Sequence, residues 1–497
     1  SQILKSCISR INSHTDDMEW LHHLSGTFKD SATYLSYSSI SHDDNILRQV
    51  RKQFNVTIDQ PADTKPGNSA CAEVPSPTLA KSSPSSKSFL INDGVLGKYI
   101  GEDSEVIVPD TVTRISDYAF RDCQNVKVVV LPDTIESIGS HAFDGCHRLT
   151  SINLPDSVTN IGSYAFANCT SLASIQIPKG VFHICSYTFY GCSALQSITV
   201  PDSASYIGKY AFAGCASLTN IQLPNGIREL AEFTFADCKL LEGIVIPGSV
   251  SQIGSHAFGG CRSLKGVTVP YPVRIVADCA FADCKSLTGI TFPGYLESIG
   301  EAAFAGCASL SYIDIAMSAL TEIKDHTFRN CSALTQITVN YGVESIGNFA
   351  FAGCYNLTSI ALPESVTQIG EAAFIGCFKL TNIQLPGNVT AIGNGAFAEC
   401  GLLAEIQLPQ GITQIADETF LGCGMLTSIE IPEGVTAIGQ MAFGRCLHLR
   451  EVTIPMSVTA IAGSAFRGSR NVRIRTPKGS YARRFALLHW IRAQCQD

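Results

Sequence analysis

From Phe89 onwards, apolar and polar residues come in short bursts that return at a fixed interval. In the stretch Leu149–Cys169, LTSINLPDSVTNIGSYAFANC, Leu149, Ile152 and Leu154 read as inward-facing while Ser151 and Asn153 face out, the alternation of a β-strand. Pro155 ends that strand, because proline has no amide proton to give to a neighbour. Beyond it Val158, Ile161, Ala165 and Phe166 are apolar at mixed spacing around Gly162, which predicts a tight turn and one short helical or 3-10 segment.

The same grammar recurs sixteen times. Its anchor phenylalanine runs from Phe120 to Phe466 every 23 residues, with one extra residue between Phe304 and Phe328. The proline that closes the strand is present in fourteen of the sixteen rungs, and the two exceptions, Ala316 and Asn340, flank the extra residue. Self-similarity at such a period predicts a solenoid in which each rung buries its apolar side chains only against the rungs beside it. Residues 110–477 are therefore expected to form one array, however long, rather than several separately cored domains.

The flanks read differently. Residues 1–59 carry Ile3, Leu4, Cys7, Ile8 and Ile11, then Ile46, Leu47, Val50 and Phe54, at helical spacing, which predicts a small helical segment. Residues 60–88 are rich in Pro and Ser and nearly devoid of bulky apolar side chains, the composition of a flexible linker. Residues 89–109 hold Asn92-Asp93-Gly94 between two apolar arms, a hairpin expected to cover the first edge of the array, followed by a first strand of repeat type.

Twenty cysteines change the picture less than their number implies. Fifteen of them, Cys123 to Cys446, sit three residues after an anchor phenylalanine, one per rung, and no CxxC pair occurs anywhere. That spacing gives no zinc signature. In a stack their Cα–Cβ vectors run parallel, a poor start for the dihedral of a disulfide, so the column is expected to be buried and unbridged, small hydrophobes with a weak S–H donor.

The chain has 35 Lys and Arg against 43 Asp and Glu, a net charge of −8, and so no overall basic footprint for nucleic acid or an anionic membrane surface. No run approaches the length of a membrane span, and no signal peptide is legible at Ser1, although a first residue other than Met leaves an export signal upstream open. No nucleophile elbow, phosphate-binding glycine loop or HExxH motif is present.

The consensus LxxIxLPxxVxxIGxxAFxxC resembles the leucine-rich repeats of the BspA-like family, also called the treponemal class, and the resemblance covers residues 89–477. It implies an α/β repeat fold, a leucine-rich-repeat solenoid with a parallel β-sheet on its concave face and short helical or 3-10 segments and turns opposite; residues 478–497 also resemble the family's closing unit, which implies a helix from Tyr481 to Ile491 capping the last rung. Members of the family are mostly secreted or surface adhesins of bacteria and some protist parasites that bind host matrix proteins or other microbes, and nothing in the resemblance implies catalysis. One departure matters. The turn position usually held by asparagine is Thr134, Ser157, Gly180, Ser203 or Gly226 here, so the asparagine ladder is absent and the cysteine column is expected to take part of its role.

Two surfaces are candidates for binding. One is the column two residues before the anchor, Tyr118, His141, Tyr164, Tyr187, Tyr210, Phe233 and His256, because aromatics with a polar tip make good interface anchors; the competing reading is a structural ring ladder. The other is the outward row of the concave sheet, Asn153, Gln176, Thr199 and Gln222, which turns acidic towards Glu405, Glu430 and Glu451. The sequence thus predicts a monomeric, non-enzymatic binding solenoid without cofactor or metal, secreted or surface-displayed, for a protein or glycan ligand and not for nucleic acid or insertion into a membrane. An intracellular interaction scaffold is the alternative.

Overall fold

The structure, a computed structural model, describes residues 88–292, 296–315 and 318–496. The expected N-terminal helical segment and nearly all of the linker lie outside the described residues. The described residues form a β-solenoid of parallel strands with almost no helix.

Most rungs contribute two strands, not one. The longer follows the leucine, as in Ser174–Gln176 and Ser197–Thr199, which pair in parallel as Ser197 with Ser174 and Thr199 with Gln176. The second is only two residues long, as in Asn160–Ile161, and pairs with the same residues one rung away, Ile138 with Ile161. An element of two residues leaves no period-2 signal, which is why sequence pattern alone passes over it.

Opposite the longer strands the expected helical or 3-10 segment is replaced by turns. Two features prevent a helix. The residues two before and two after the anchor are in the left-handed region in every rung but the last, where Ser464 is not, for example Tyr164 at φ 59° and Asn168 at φ 58°, so no run of right-handed turns can build. Backbone amides also go outward to the next rung: Tyr164 N donates to Ser186 O at 3.2 Å and Phe166 N to Thr188 O at 2.9 Å.

The core is a row of anchor rings. From Phe120 to Phe466 successive centroids lie 4.8 to 5.7 Å apart and within 18° of parallel, the offset stacking that ring quadrupoles favour. At one end Tyr99 continues it, from the hairpin β1 (Phe89–Asn92) and β2 (Val95–Tyr99). At the other, Phe485 of helix α1 (Tyr481–Leu488) closes it at 6.2 Å. This helix is shorter than the sequence predicts: it stops at Leu488, capped by His489, Trp490 turns left-handed, and a strand, Arg492–Gln496, then lies parallel on Arg473–Pro477. The terminal unit is thus a helix and a strand.

Beside the rings runs the cysteine column. Fourteen thiols, Cys146 to Cys446, donate from Sγ to the anchor carbonyl of the preceding rung at 3.0 to 3.3 Å. Ser469 continues the series with a hydroxyl, to Phe443 O at 2.6 Å. Where asparagine would stand in the turn, hydroxyls do similar work, as in Ser157 Oγ to Ile135 O at 2.7 Å and Ser249 Oγ to Ile227 O at 2.5 Å.

All cysteines among the described residues are unbridged. Burial holds the column thiols protonated, with Cys192 and Cys354 pushed up to about 12 from 9.0. Unfolded thiols release their protons near the lower value, so the column's contribution is complete below about pH 9 and is lost between about 9 and 12. The melting temperature is expected to be level up to about pH 8.5 and to fall steeply above it, with the fourteen buried thiols refusing iodoacetamide until the chain unfolds. Rapid labelling of them in the native protein, or a melt indifferent to alkali, would contradict this.

The extra residue lies between Asp314, which pairs with Thr338 across 24 positions, and Glu322, which pairs with Ser345 across 23. Asn340 explains the missing proline there. Its buried side chain donates to Leu320 O at 2.9 Å and accepts from Ser318 Oγ at 3.2 Å, so the enlarged turn is held by hydrogen bonds that proline could not make.

Candidate functional site

The column from Tyr118 to His256 forms one uninterrupted ring stack on the edge of the solenoid. Its six steps measure 4.3 to 4.9 Å between centroids, within 13° of parallel. The backbone places it there: every member is left-handed, with φ between 53° and 61°, which turns the side chain out of the core and along the edge. A ring in that conformation carries strain of order 1 to 3 kcal/mol, partly offset by stacking on both neighbours. The rings are half-buried except Tyr118, which is 49% exposed. Cys279 and Ala302 then interrupt the row, and His326 and Phe349 make a separate pair at 5.1 Å.

Electrostatics differ along the stack. His141 Nδ1 lies 2.9 Å from Asp144 Oδ2, and the Arg121 guanidinium covers the Tyr118 ring at 5.4 Å. Burial pushes His256 below the ordinary histidine range, against the opposing pull of Asp278, and burial likewise raises Tyr164 and Tyr210. His256, Tyr164 and Tyr210 are therefore held uncharged at neutral pH.

One member went unread in the sequence. Tyr190 stands edge-on to the stack, 5.7 Å from Tyr187 and 6.4 Å from Tyr210. The position after the anchor is mostly small elsewhere, as at Ala167, Ala213, Ala236 and Gly259, so a lone tyrosine there was the available signal.

The other candidate row is brought together as well: Gln176 and Thr199 are register partners on the longer strands and Gln222 joins Thr199 through a single bridge, all three exposed. Asn153 is committed elsewhere. Its amide accepts from Leu131 N at 3.0 Å and donates to Leu131 O at 3.2 Å, bracing the preceding rung. Among the described residues no group of three or more His, Cys, Asp or Glu is placed to hold a metal ion, and no helix is long and apolar enough to cross a membrane.

Parallel strands stacked rung on rung, a leucine or valine and an anchor ring in each turn and an exposed ring-lined edge define a leucine-rich-repeat scaffold of the binding type. The BspA type Leucine rich repeat region matches residues 99–187, 171–274, 251–367 and 344–473, and the chain belongs to that family. Among solved structures, a leucine-rich repeat protein from Bacteroides ovatus is similar at 29% identity over 68% of this chain and 82% of its own, with a TM-score of 0.58. The T. pallidum leucine rich repeat protein shares 30% identity over 42% of this chain and 91% of its own, with a TM-score of 0.34. A leucine rich cell surface protein of Faecalibacterium prausnitzii shares 26% over 79% and 93%, with a TM-score of 0.36. No curated protein matches the chain.

Proposed function

We propose that this chain is a non-catalytic adhesin, secreted or displayed at the cell surface, that recognises a host or matrix protein or a glycan through the aromatic edge. The observation that carries the reading is the continuous row from Tyr118 to His256, with Tyr190 standing against it. Four neighbouring rungs present Tyr164, Tyr187, Tyr210 and Phe233 over about 14 Å, enough to seat an extended peptide or a short sugar chain. Stacked rings lose little side-chain entropy on binding, and tyrosine supplies both contact area and a hydroxyl. The rival row on the longer strands has short, mostly uncharged groups and few such anchors. Membership of a family of binding solenoids supports the reading further.

The test compares two triple variants with wild type, Tyr164, Tyr187 and Tyr210 all changed to Ser, and Gln176, Thr199 and Gln222 all changed to Ala. Attachment to immobilised matrix proteins and a glycan array is read beside thermal stability. The tyrosine variant is expected to stay folded and lose attachment at least about ten-fold, while the second variant keeps it. An early-melting tyrosine variant whose folded fraction binds normally would make the column a structural ladder only.

A further inference from the structure

The C-terminal end carries a charge opposite to the rest of the chain. Residues 445–497 contain ten Lys and Arg against two acidic residues, in a protein of net charge −8. Five of those arginines, Arg450, Arg467, Arg470, Arg473 and Arg492, line one crevice of about 1060 Å³ together with Trp490. The only carboxylate in its wall, Glu451, already pairs with Arg475 at 3.1 Å. Among the described residues none of the five arginines joins an ion pair.

The folding pattern places these charges side by side. Arg473 N donates to Arg450 O at 2.8 Å, and Arg473 and Arg492 are direct partners on adjacent parallel strands. Like charges opposed in a sheet destabilise it. Arg475, next on the same strand face, keeps a buried Nε–H without an acceptor. Trp490 is 96% exposed on a left-handed backbone at φ 57°. Solvating an indole and straining its backbone both cost free energy, so the arrangement is costly for folding alone.

We propose that this crevice is a binding site for a short anionic oligosaccharide, whose sulfate or carboxylate groups occupy the guanidinium forks while one sugar face lies on Trp490. Guanidinium forks match such oxyanions bidentately, and an exposed indole offers the flat apolar face that a sugar ring needs. The ligand must be short. One rung back along the sheet Arg473 gives way to Glu451, and Glu430 lies on the rung before that, so a long polyanion such as nucleic acid would run from the positive crevice onto acidic strands. The site is separate from the aromatic edge and does not depend on it.

Trp490 is also the reporter. The chain has two tryptophans, so Trp20→Phe leaves the indole of Trp490 as the single intrinsic signal. Full-length protein in that background is titrated, at about 150 mM salt, with a sulfated heparin-type hexasaccharide, a neutral hexasaccharide and a single-stranded hexanucleotide. The sulfated chain is expected to shift the fluorescence and to bind at least about ten-fold tighter than either of the others. Arg473→Gln with Arg492→Gln should remove that preference without lowering the melting temperature, since it relieves a like-charge pair; isothermal calorimetry with Trp490→Ala gives a second reading if the double variant folds poorly. Equal binding of the neutral chain, tighter binding of the hexanucleotide, or an unchanged affinity in the folded variants would each overturn the proposal.

Discussion

Replacing Phe258 with alanine is expected to cost on the order of 3 to 5 kcal/mol and to split one melting transition into two. The ring is fully buried between Phe235 at 5.6 Å and Phe281 at 5.2 Å. Its removal deletes stacking on both sides and opens a cavity that parallel rungs cannot close, because each is held at a fixed spacing by its backbone bonds. In a one-dimensional array stability is close to a sum of rung terms and nearest-neighbour interface terms, so the damage stays local and uncouples the halves on either side. Calorimetry with hydrogen exchange checks this: protection should drop around residue 258 while distant rungs keep theirs. A single unshifted transition would mean that the spine does not carry the fold.

The second large effect is expected at Gly300. Its φ is ordinary, so strain is not the issue; space is. A Cβ there would lie 2.3 Å from Asp278 N and 2.4 Å from Ala277 C, the backbone of the preceding rung. Nine glycines occupy this column, each with preceding-rung backbone 2.3 to 2.7 Å from where its Cβ would be, and nowhere in the array do two non-glycines follow one another. Gly300→Ala is therefore expected to lose about 1 to 3 kcal/mol, and Gly300→Val more, because backbone cannot swing aside as a side chain can. Urea midpoints of the two variants give the measurement, and wild-type midpoints in both would refute the close approach.

The parts of this molecule that were legible in sequence are those written as one residue type per rung. Phe258 and its fifteen equivalents announced the spine, and Cys146 to Cys446 announced a buried thiol column. Other columns are just as regular in geometry but mixed in chemistry. The left-handed position two after the anchor alternates among types: Asp122, Asn168, Asp237, Asp283, Asn330, Glu399 and Arg445 are each followed one rung on by glycine. The reason is visible at Asp283, whose Oδ1 lies 2.5 Å from where a Cβ on Gly306 would be. A rule that links neighbours across 23 residues is invisible to a reading of single positions. The aromatic edge was legible as a column, but its left-handed backbone and Tyr190 were not, since neither has a periodic signature. The arginine crevice was hidden for a different cause: the overall charge of −8 averages it away.

Nearly every backbone bond outside the turns runs from one rung to the next, as from Phe258 N to Ala280 O at 2.8 Å. Under tension applied between the two ends, such bonds are loaded in series and open singly, as a zipper does, rather than together as in shear. Each opened rung gives up 23 residues, roughly 75 to 80 Å of extended chain, against about 4.8 Å of stacked length lost. The array is in that sense a reel: it yields length in equal instalments and dissipates work at every step, while the rungs still closed keep their own stacks intact.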